Sequence, residues 1–150
     1  LFVCLGNICR SPLAEAAFRA ECARRELDVA IDSAGIGDWH EGQAPDPRAR
    51  ATAKRLGIDI DGYRARQVRQ EDFTRFDLIL ALDRENFADL SRLRPADATA
   101  SVGMLLDFVP GSEGEAVPDP YYGGTREFEL VWSKVCQAAR GLADSLAAKK

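Results

Sequence analysis

Long apolar runs, an excess of positive charge, histidine and low-complexity sequence are all missing or scarce in this chain of 150 residues. No apolar segment approaches the roughly 20 residues that a membrane-spanning helix needs, so a membrane partner is not expected. The 20 basic side chains are outnumbered by 24 acidic ones, and the formal net charge is −4. Spread along the chain, that balance argues against a nucleic-acid backbone as the main partner. Histidine occurs once, at His40, without the companions that would make a metal site. The four cysteines (Cys4, Cys9, Cys22, Cys136) are an even number. The size and composition, however, are not those of a disulfide-dense secreted protein, so reduced thiols in a cytoplasmic setting are expected. No internal repeat or second-domain boundary interrupts the sequence, and one domain over residues 1–150 is expected. A domain of this length buries roughly 68–70% of its unfolded surface, enough for a core without disulfides or structural metal. The chain opens on Leu1 and not on Met, so a segment ahead of it is expected.

What is present alternates between strand and helix patterns. Leu1 to Leu5 is a short apolar run that meets Gly6 and Asn7, which reads as a buried strand entering a loop. Ser11 and Pro12 then suggest a hydroxyl N-cap and a first helical proline, with Leu13, Ala16, Ala17, Ala20, Ala23 and Leu27 at helical spacing behind them. Val29 to Ile31 is a second strand candidate, ended by Ser33, Ala34 and Gly35, and Gly35 to Pro47 is a loop. Arg48 to Leu56 predicts a helix stopped by Gly57. The continuous apolar run within Phe76 to Leu82 suits a strand covered on both faces, with Asp83 at its carboxyl end. Glu85 to Leu93 predicts a helix and Val102 to Phe108 a last strand. After an acidic Gly- and Pro-rich loop (Pro110 to Gly124), Phe128, Val131, Val135, Ala138, Leu142 and Leu146 form the stripe of a final helix. The alternation predicts an α/β fold, a small parallel sheet with helices on both faces. Such sheets take ligands beyond the strands' carboxyl ends, where the loop from Cys4 to Arg10 would lie.

That loop pairs a thiol and a guanidinium, with Leu5, Gly6, Asn7, Ile8 and Cys9 between Cys4 and Arg10. Backbone N–H groups of a loop opening a helix form an anion cradle. Arg10 can grip two oxygens of a phosphate with its planar fork. The same positive field favours Cys4 as the nucleophilic thiolate. Gly6 permits tight curvature, Asn7 can brace the loop through its amide, and Ser11 can donate to the Cys4 sulfur. A Cys with an Arg six places on is weak by itself in an Arg-rich chain. The apolar strand before it, Gly and Asn within it and Ser-Pro after it all fit one geometry, and that context gives the pairing its weight.

The stretch CLGNICRSP (Cys4 to Pro12) resembles the phosphate-binding loop of the low-molecular-weight protein tyrosine phosphatases. The resemblance runs along essentially the whole chain. It includes DSAG at Asp32 to Gly35, DWH at Asp38 to His40, ARQ at Ala65 to Gln67, FDLILALD at Phe76 to Asp83 and DPYYGG at Asp119 to Gly124, in family order. It implies a four-stranded parallel sheet, doubly wound and flavodoxin-like, and a metal-free, cofactor-free phosphatase acting as a monomer on phosphotyrosine proteins. Cys4 would be the nucleophile, Arg10 the phosphate-binding and transition-state-stabilising residue, and Asp119 the general acid. Many relatives also carry the Cys4 and Cys9 pair, which implies a reversible disulfide that guards the nucleophile against irreversible oxidation. Where many members have a His supporting the loop's Asn and Ser, just before the ARQ block, this chain has Tyr63.

Expelling a tyrosyl oxygen as bare phenolate is slow, because its conjugate acid has a pKa near ~10, so an acid must protonate it. Asp119 sits between Pro118 and Pro120 in a polar loop, and Tyr121 and Tyr122 follow as walls for an aromatic substrate. A plain turn is the alternative for DPYY on its own. Trp39 is expected as another wall. Asp83 could orient the guanidinium or cap the next helix. His40 is expected at the rim, Trp132 in the core, and Cys22 and Cys136 as buried helix thiols. Among rival functions, thioredoxin-linked arsenate reductases need further cysteines, and none lies between Cys22 and Cys136. Phosphoarginine phosphatases tend to have Thr where Ile8 stands, so Ile8 points to phosphotyrosine. A phosphate-binding or redox-sensing module would need no Asp119.

Overall fold

The computed structural model describes residues 1–148. Four parallel strands form one sheet: β1 (Phe2–Cys4), β2 (Ser33–Gly35), β3 (Leu78–Ala81) and β4 (Ser101–Met104), in the order β2-β1-β3-β4. Parallel neighbours need crossovers, and the helices supply them. They are α1 (Arg10–Arg25), α2 (Pro47–Lys54), α3 (Asp72–Arg75), α4 (Arg84–Leu93) and α5 (Thr125–Ala148). The period of two along the strands divides the core. Phe2, Cys4, Leu80 and Leu82 pack with α1, α2 and α5, whereas Leu1, Val3, Ile79 and Ala81 pack with Phe73 of α3 and Leu90 of α4. The α/β architecture with helices on both faces is therefore the expected one. No described helix is long and apolar enough to cross a membrane.

The helix predictions hold to within a residue or two at most ends. Asp46 caps α2 by accepting from the Arg48 N–H at 2.8 Å, with Pro47 as first residue, and Gly57 beyond it takes a left-handed φ of +79°. Asp83 caps α4 by accepting from the Asn86 N–H at 2.7 Å. In α5 the stripe residues from Phe128 to Leu142 are buried, Leu146 packs beside them, and Trp132 is half-buried against the core.

Four expectations are corrected. The second strand is Ser33–Gly35 and not Val29 to Ile31, which stays partly exposed. Its register, with Cys4 opposite Gly35, demands small residues: a Cβ on Gly35 would lie 3.0 Å from the Leu5 carbonyl oxygen. The first helix starts at Arg10 behind Cys9, so Ser11 lies inside it and does not cap it, and Pro12 falls within the first turn, where N–H groups lack helical partners anyway. The last strand stops at Met104 and a 3-10 turn (Leu105–Phe108) follows. The turn lets the adjacent Leu105 and Leu106 enter the same core cluster, which a strand's alternation would forbid. Cys136 is half-buried, unlike the fully buried Cys22. The short helix α3 was not anticipated.

The 3-10 turn and α5 meet at Gly141, where an added Cβ would lie 1.9 Å from the Phe108 carbonyl oxygen. Alanine there would gain about 1 kcal/mol in helix propensity, but overpacking against backbone costs typically about 1–3 kcal/mol and at this overlap the upper end or more. Gly141→Ala should therefore lower Tm by several degrees in a thermal melt followed by circular dichroism. A Tm at or above wild type would show that α5 does not depend on this approach.

Candidate active site

The loop between β1 and α1 turns at the carboxyl end of the central strand, as expected of a parallel sheet. Asn7, at its middle, takes a left-handed φ of +59°, which Asn tolerates better than most residues. Its amide nitrogen donates to Ser11 Oγ (2.7 Å) and Ser33 Oγ (3.0 Å), and its Oδ1 accepts from the Arg66 N–H (3.0 Å). The Ser33 hydroxyl in turn donates to Glu15 Oε1 at 2.7 Å, and Arg19 Nε donates to the other Glu15 oxygen at 2.8 Å. Burial pushes the Glu15 carboxyl up, although the Ser33 and Arg19 hydrogen bonds pull against it. Tyr63 is half-buried with Glu15 and Arg19 as charged neighbours. The bracing of Asn7 runs on through Ser33 to Glu15.

Cys4 is 3% exposed, at the floor of the loop. Its Sγ accepts from the Asn7 N–H at 3.3 Å and lies 3.0 Å from Ser11 Oγ. Among the described residues the N–H groups of Leu5, Gly6, Ile8, Cys9 and Arg10 donate to no protein acceptor. Arg10 is equally buried, and its Nη1 is taken up by Asp83 Oδ2 (2.7 Å) and the Val117 carbonyl (3.0 Å). Burial alone would pull the guanidinium down, but Cys4 and then Asp83 more than compensate, and the net shift is upward. Nη1 is thus anchored, while Nε and Nη2 make no hydrogen bond to the described residues. Asp83 serves both roles foreseen for it. Cys9, a buried free thiol, is pushed up by burial, with the Asp46 carboxylate adding to the effect.

Asp119 stands at the mouth with Oδ2 3.9 Å from Arg10 Nη2, too far for a hydrogen bond, and its Oδ1 accepts from the Tyr121 N–H at 3.0 Å. Buried Pro120 anchors this turn. The rings of Tyr121 and Tyr122 meet edge to face at 5.1 Å. Opposite them Trp39, 64% exposed, lies across Gly37, where a Cβ would fall 1.9 Å from the indole. His40 is half-exposed beside it, as expected of a rim residue, with Nδ1 3.1 Å from Gln43 Oε1.

These residues enclose one cavity of about 200 Å³, lined by Cys4, Leu5, Gly6, Ile8, Cys9, Arg10, Trp39, His40, Asp119, Tyr121 and Tyr122. Asn7 and Ser11 stand behind it with their side chains occupied. Sequence reasoning missed Glu15, Ser33 and Arg66. The DSAG block contains Ser33, and its unusual small-polar composition beside a strand was the available signal. A larger cavity, about 350 Å³, opens at the opposite end of the sheet among Phe2, Leu27, Ile31 and Leu142, and brings no thiol, hydroxyl or imidazole. Among the described residues no group of three or more His, Cys, Asp or Glu is placed to hold a metal ion. The smaller cavity offers a thiol under a ring of free donors, with a carboxyl at the entrance. That set can hold a tetrahedral oxyanion against a nucleophile and deliver a proton from the far side.

Residues 1–150 match the family model for low molecular weight phosphotyrosine protein phosphatase. The chain is 46% identical over 139 residues to the low molecular weight protein-tyrosine-phosphatase YfkJ of Bacillus subtilis, covering 91% of this chain and 85% of that protein. A protein tyrosine phosphatase of Entamoeba histolytica superposes with a TM-score of 0.92 at 37% identity, covering 99% of this chain and 96% of that one. A drosophila arginine phosphatase superposes with a TM-score of 0.91 at 29% identity, covering 97% and 95%.

Removing the Asn7 side chain would cost the loop its hydrogen bonds and leave a non-Gly residue in the left-handed region. At about 1 kcal/mol per bond, Asn7→Ala should lose about 3 kcal/mol. Asn7→Gly, relieved of the backbone penalty of about 1–2 kcal/mol, should melt between that variant and wild type. Indistinguishable melting of Asn7→Ala and wild type would mean that this amide does not hold the loop.

Proposed function

The chain belongs to the low molecular weight phosphotyrosine protein phosphatase family, and from that premise we propose that it hydrolyses phosphotyrosine in protein substrates through a phosphocysteine on Cys4. The observation that carries this reading is the convergence of Cys4, Arg10 and Asp119 on a single cavity. The buried thiol at its floor and the exposed aromatic rings at its rim suit an ester whose phosphate lies a full ring length from the peptide.

In the first step the Cys4 thiolate attacks phosphorus in line, forming the S–P bond while the P–O bond to the aryl group breaks. Asp119 gives its proton to the departing oxygen, so tyrosine leaves neutral. The Nε and Nη2 edge of Arg10 binds two non-bridging oxygens, aided by the free loop N–H groups. Asp83 and the Val117 carbonyl hold the opposite side of the guanidinium, which fixes the fork before substrate arrives. In the second step Asp119, now ionised, takes a proton from water as that water attacks phosphorus. The S–P bond breaks and its electron pair returns to sulfur, where the Ser11 hydroxyl, 3.0 Å away, can donate to the thiolate. The protein's own side chains and water complete both steps.

Leu5, Gly6, Ile8, Cys9 and the Trp39, Tyr121 and Tyr122 rings form the remaining contacts in this reading. Phosphoarginine is the competing substrate, because an arginine phosphatase shares the fold at a TM-score of 0.91. Apolar Ile8 on the cavity wall favours a phenyl ring over a guanidinium. The reading also takes the chain as one catalytic domain, monomeric and cytoplasmic, since the reaction needs Cys4 reduced.

Cys4→Ser should abolish hydrolysis of p-nitrophenyl phosphate, and the wild type should cleave a phosphotyrosine peptide faster than its phosphoarginine counterpart. The reverse order would favour the arginine substrate. Asp119→Ala should slow phenyl phosphate by about 10²–10⁴-fold but p-nitrophenyl phosphate, with its good leaving group, far less. Equal losses would remove Asp119 from the role.

A further inference from the structure

Arg48 occupies a position that nothing in the reaction above requires. It lies in the first turn of α2, half-buried, and all three guanidinium nitrogens are engaged. Nε and Nη2 form a two-pronged pair with the Asp46 carboxylate, at 3.0 and 2.9 Å. Nη1 crosses to the carbonyl oxygen of Gly123 at 2.8 Å, 75 residues away in sequence. The guanidinium carbon stands 4.8 Å from the centre of the Phe128 ring and 5.8 Å from that of Tyr121, within the range of a cation–π contact. Phe128 belongs to α5, and the other partners tie Arg48 to two loops. Asp46 is bound to the phosphate-binding loop, its N–H donating to the Ile8 carbonyl at 2.9 Å. Gly123 closes the Asp119 turn, its N–H donating to the Pro120 carbonyl at 2.8 Å, while the Tyr121 N–H holds Asp119 Oδ1.

We propose that Arg48 is a positioning residue: a strut between the phosphate-binding loop and the Asp119 turn that sets the distance of the Asp119 carboxyl from Cys4. The proposal rests on the reading of Asp119 as proton donor. The geometry gives the strut a reason to exist. Asp119 is held to Arg10 only at 3.9 Å, its side chain is 48% exposed, and Tyr122 is almost wholly exposed, so the turn has little packing of its own on the outer side. Pro120 and the Val117 N–H, bonded to the Leu82 carbonyl at 2.8 Å, secure the side leading into the turn. Arg48 secures the side leading out. A lysine could supply the charge there but not the fork, because one ammonium cannot clasp a carboxylate edge and reach a third acceptor in plane. Asp46 is in turn held below the usual carboxylate range, first by its side-chain hydrogen bonds to Arg48.

A strut of this kind acts through Asp119 and leaves the nucleophile alone, and leaving-group dependence separates the two. The experiment measures kcat/KM on phenyl phosphate and p-nitrophenyl phosphate for wild type, Arg48→Ala, Asp46→Asn, Asp119→Ala and the Arg48→Ala/Asp119→Ala double variant. Misplacing a reacting group by about 1 Å costs up to about 100-fold. Arg48→Ala should accordingly lose roughly 10- to 100-fold on phenyl phosphate, with little change on p-nitrophenyl phosphate. Asp46→Asn keeps a helix cap but loses the charged clasp, so it should show the same selectivity in smaller measure and guards against a folding defect in Arg48→Ala. In the double variant, Arg48→Ala should add no further loss, since the group it positions is gone. Equal losses on both substrates in Arg48→Ala and Asp46→Asn, or a full additional loss in the double variant, would overturn the proposal while Asp119 keeps its role. An Asp119→Ala enzyme that matches wild type on phenyl phosphate would overturn the reading of Asp119 itself, and the strut with it.

Discussion

The left-handed bend at Asn7 is the constraint on which the rest of the site depends. A loop of five residues must turn from the end of a central strand into a helix, and at its middle one residue takes φ of +59° with its amide committed to Ser11, Ser33 and the Arg66 backbone. Those partners lie on α1, on β2 and on the segment that bridges to β2 at Gln67, so the curvature of the loop is registered against a helix, the neighbouring strand and the edge beside it. Once it is set, Ser11 and the Asn7 N–H converge on the Cys4 sulfur, and the remaining loop N–H groups are left without protein acceptors. Small residues at β2 follow from the same requirement, because only Gly35 lets the loop lie on the neighbouring strand.

Electrostatics reinforces the shape. The chain as a whole is acidic, at net −4. Yet at one point a guanidinium 3% exposed stands beside the thiol, paired with Asp83 through one nitrogen only. Paying the desolvation of an arginine this deeply is worthwhile only if the charge is held rigidly, and a carboxylate plus a backbone carbonyl do that. Attraction for a phosphate is thereby local and oriented.

How much of this was legible in the sequence depends on whether one segment or several carried the signal. The Cys4 to Arg10 loop, the apolar run of β3 and the stripe of α5 each lie within one stretch, and their chemistry or periodicity reads directly. The family blocks extended the resemblance to the whole chain, and the family match bears it out. Features made by distant parts were hidden. The strand position at Ser33–Gly35 carries little β propensity, since close approach of the loop and not side-chain bulk selects its residues. The contact of Ser11 with the Cys4 sulfur was legible, but the start of α1 ahead of Ser11, which takes the cap away from it, was not. Glu15 and Ser33 look like ordinary surface polars until α1 and β2 close around Asn7. The 3-10 turn after β4 reads as strand because Leu105 and Leu106 are both apolar, and only the tertiary core decides that they share a side.

The central claim is that phosphate passes through covalent attachment to Cys4, and rapid-quench mass spectrometry of the enzyme turning over p-nitrophenyl phosphate tests it most directly. Acid quenching within the first turnover, followed by peptide mapping, should find one phosphoryl group on the peptide holding Cys4 and Cys9, with fragmentation assigning it to the Cys4 sulfur, and none in the Cys4→Ser protein. Turnover that proceeds with no phosphoryl adduct at Cys4 at any quench time, or with the adduct on another residue, would contradict the account.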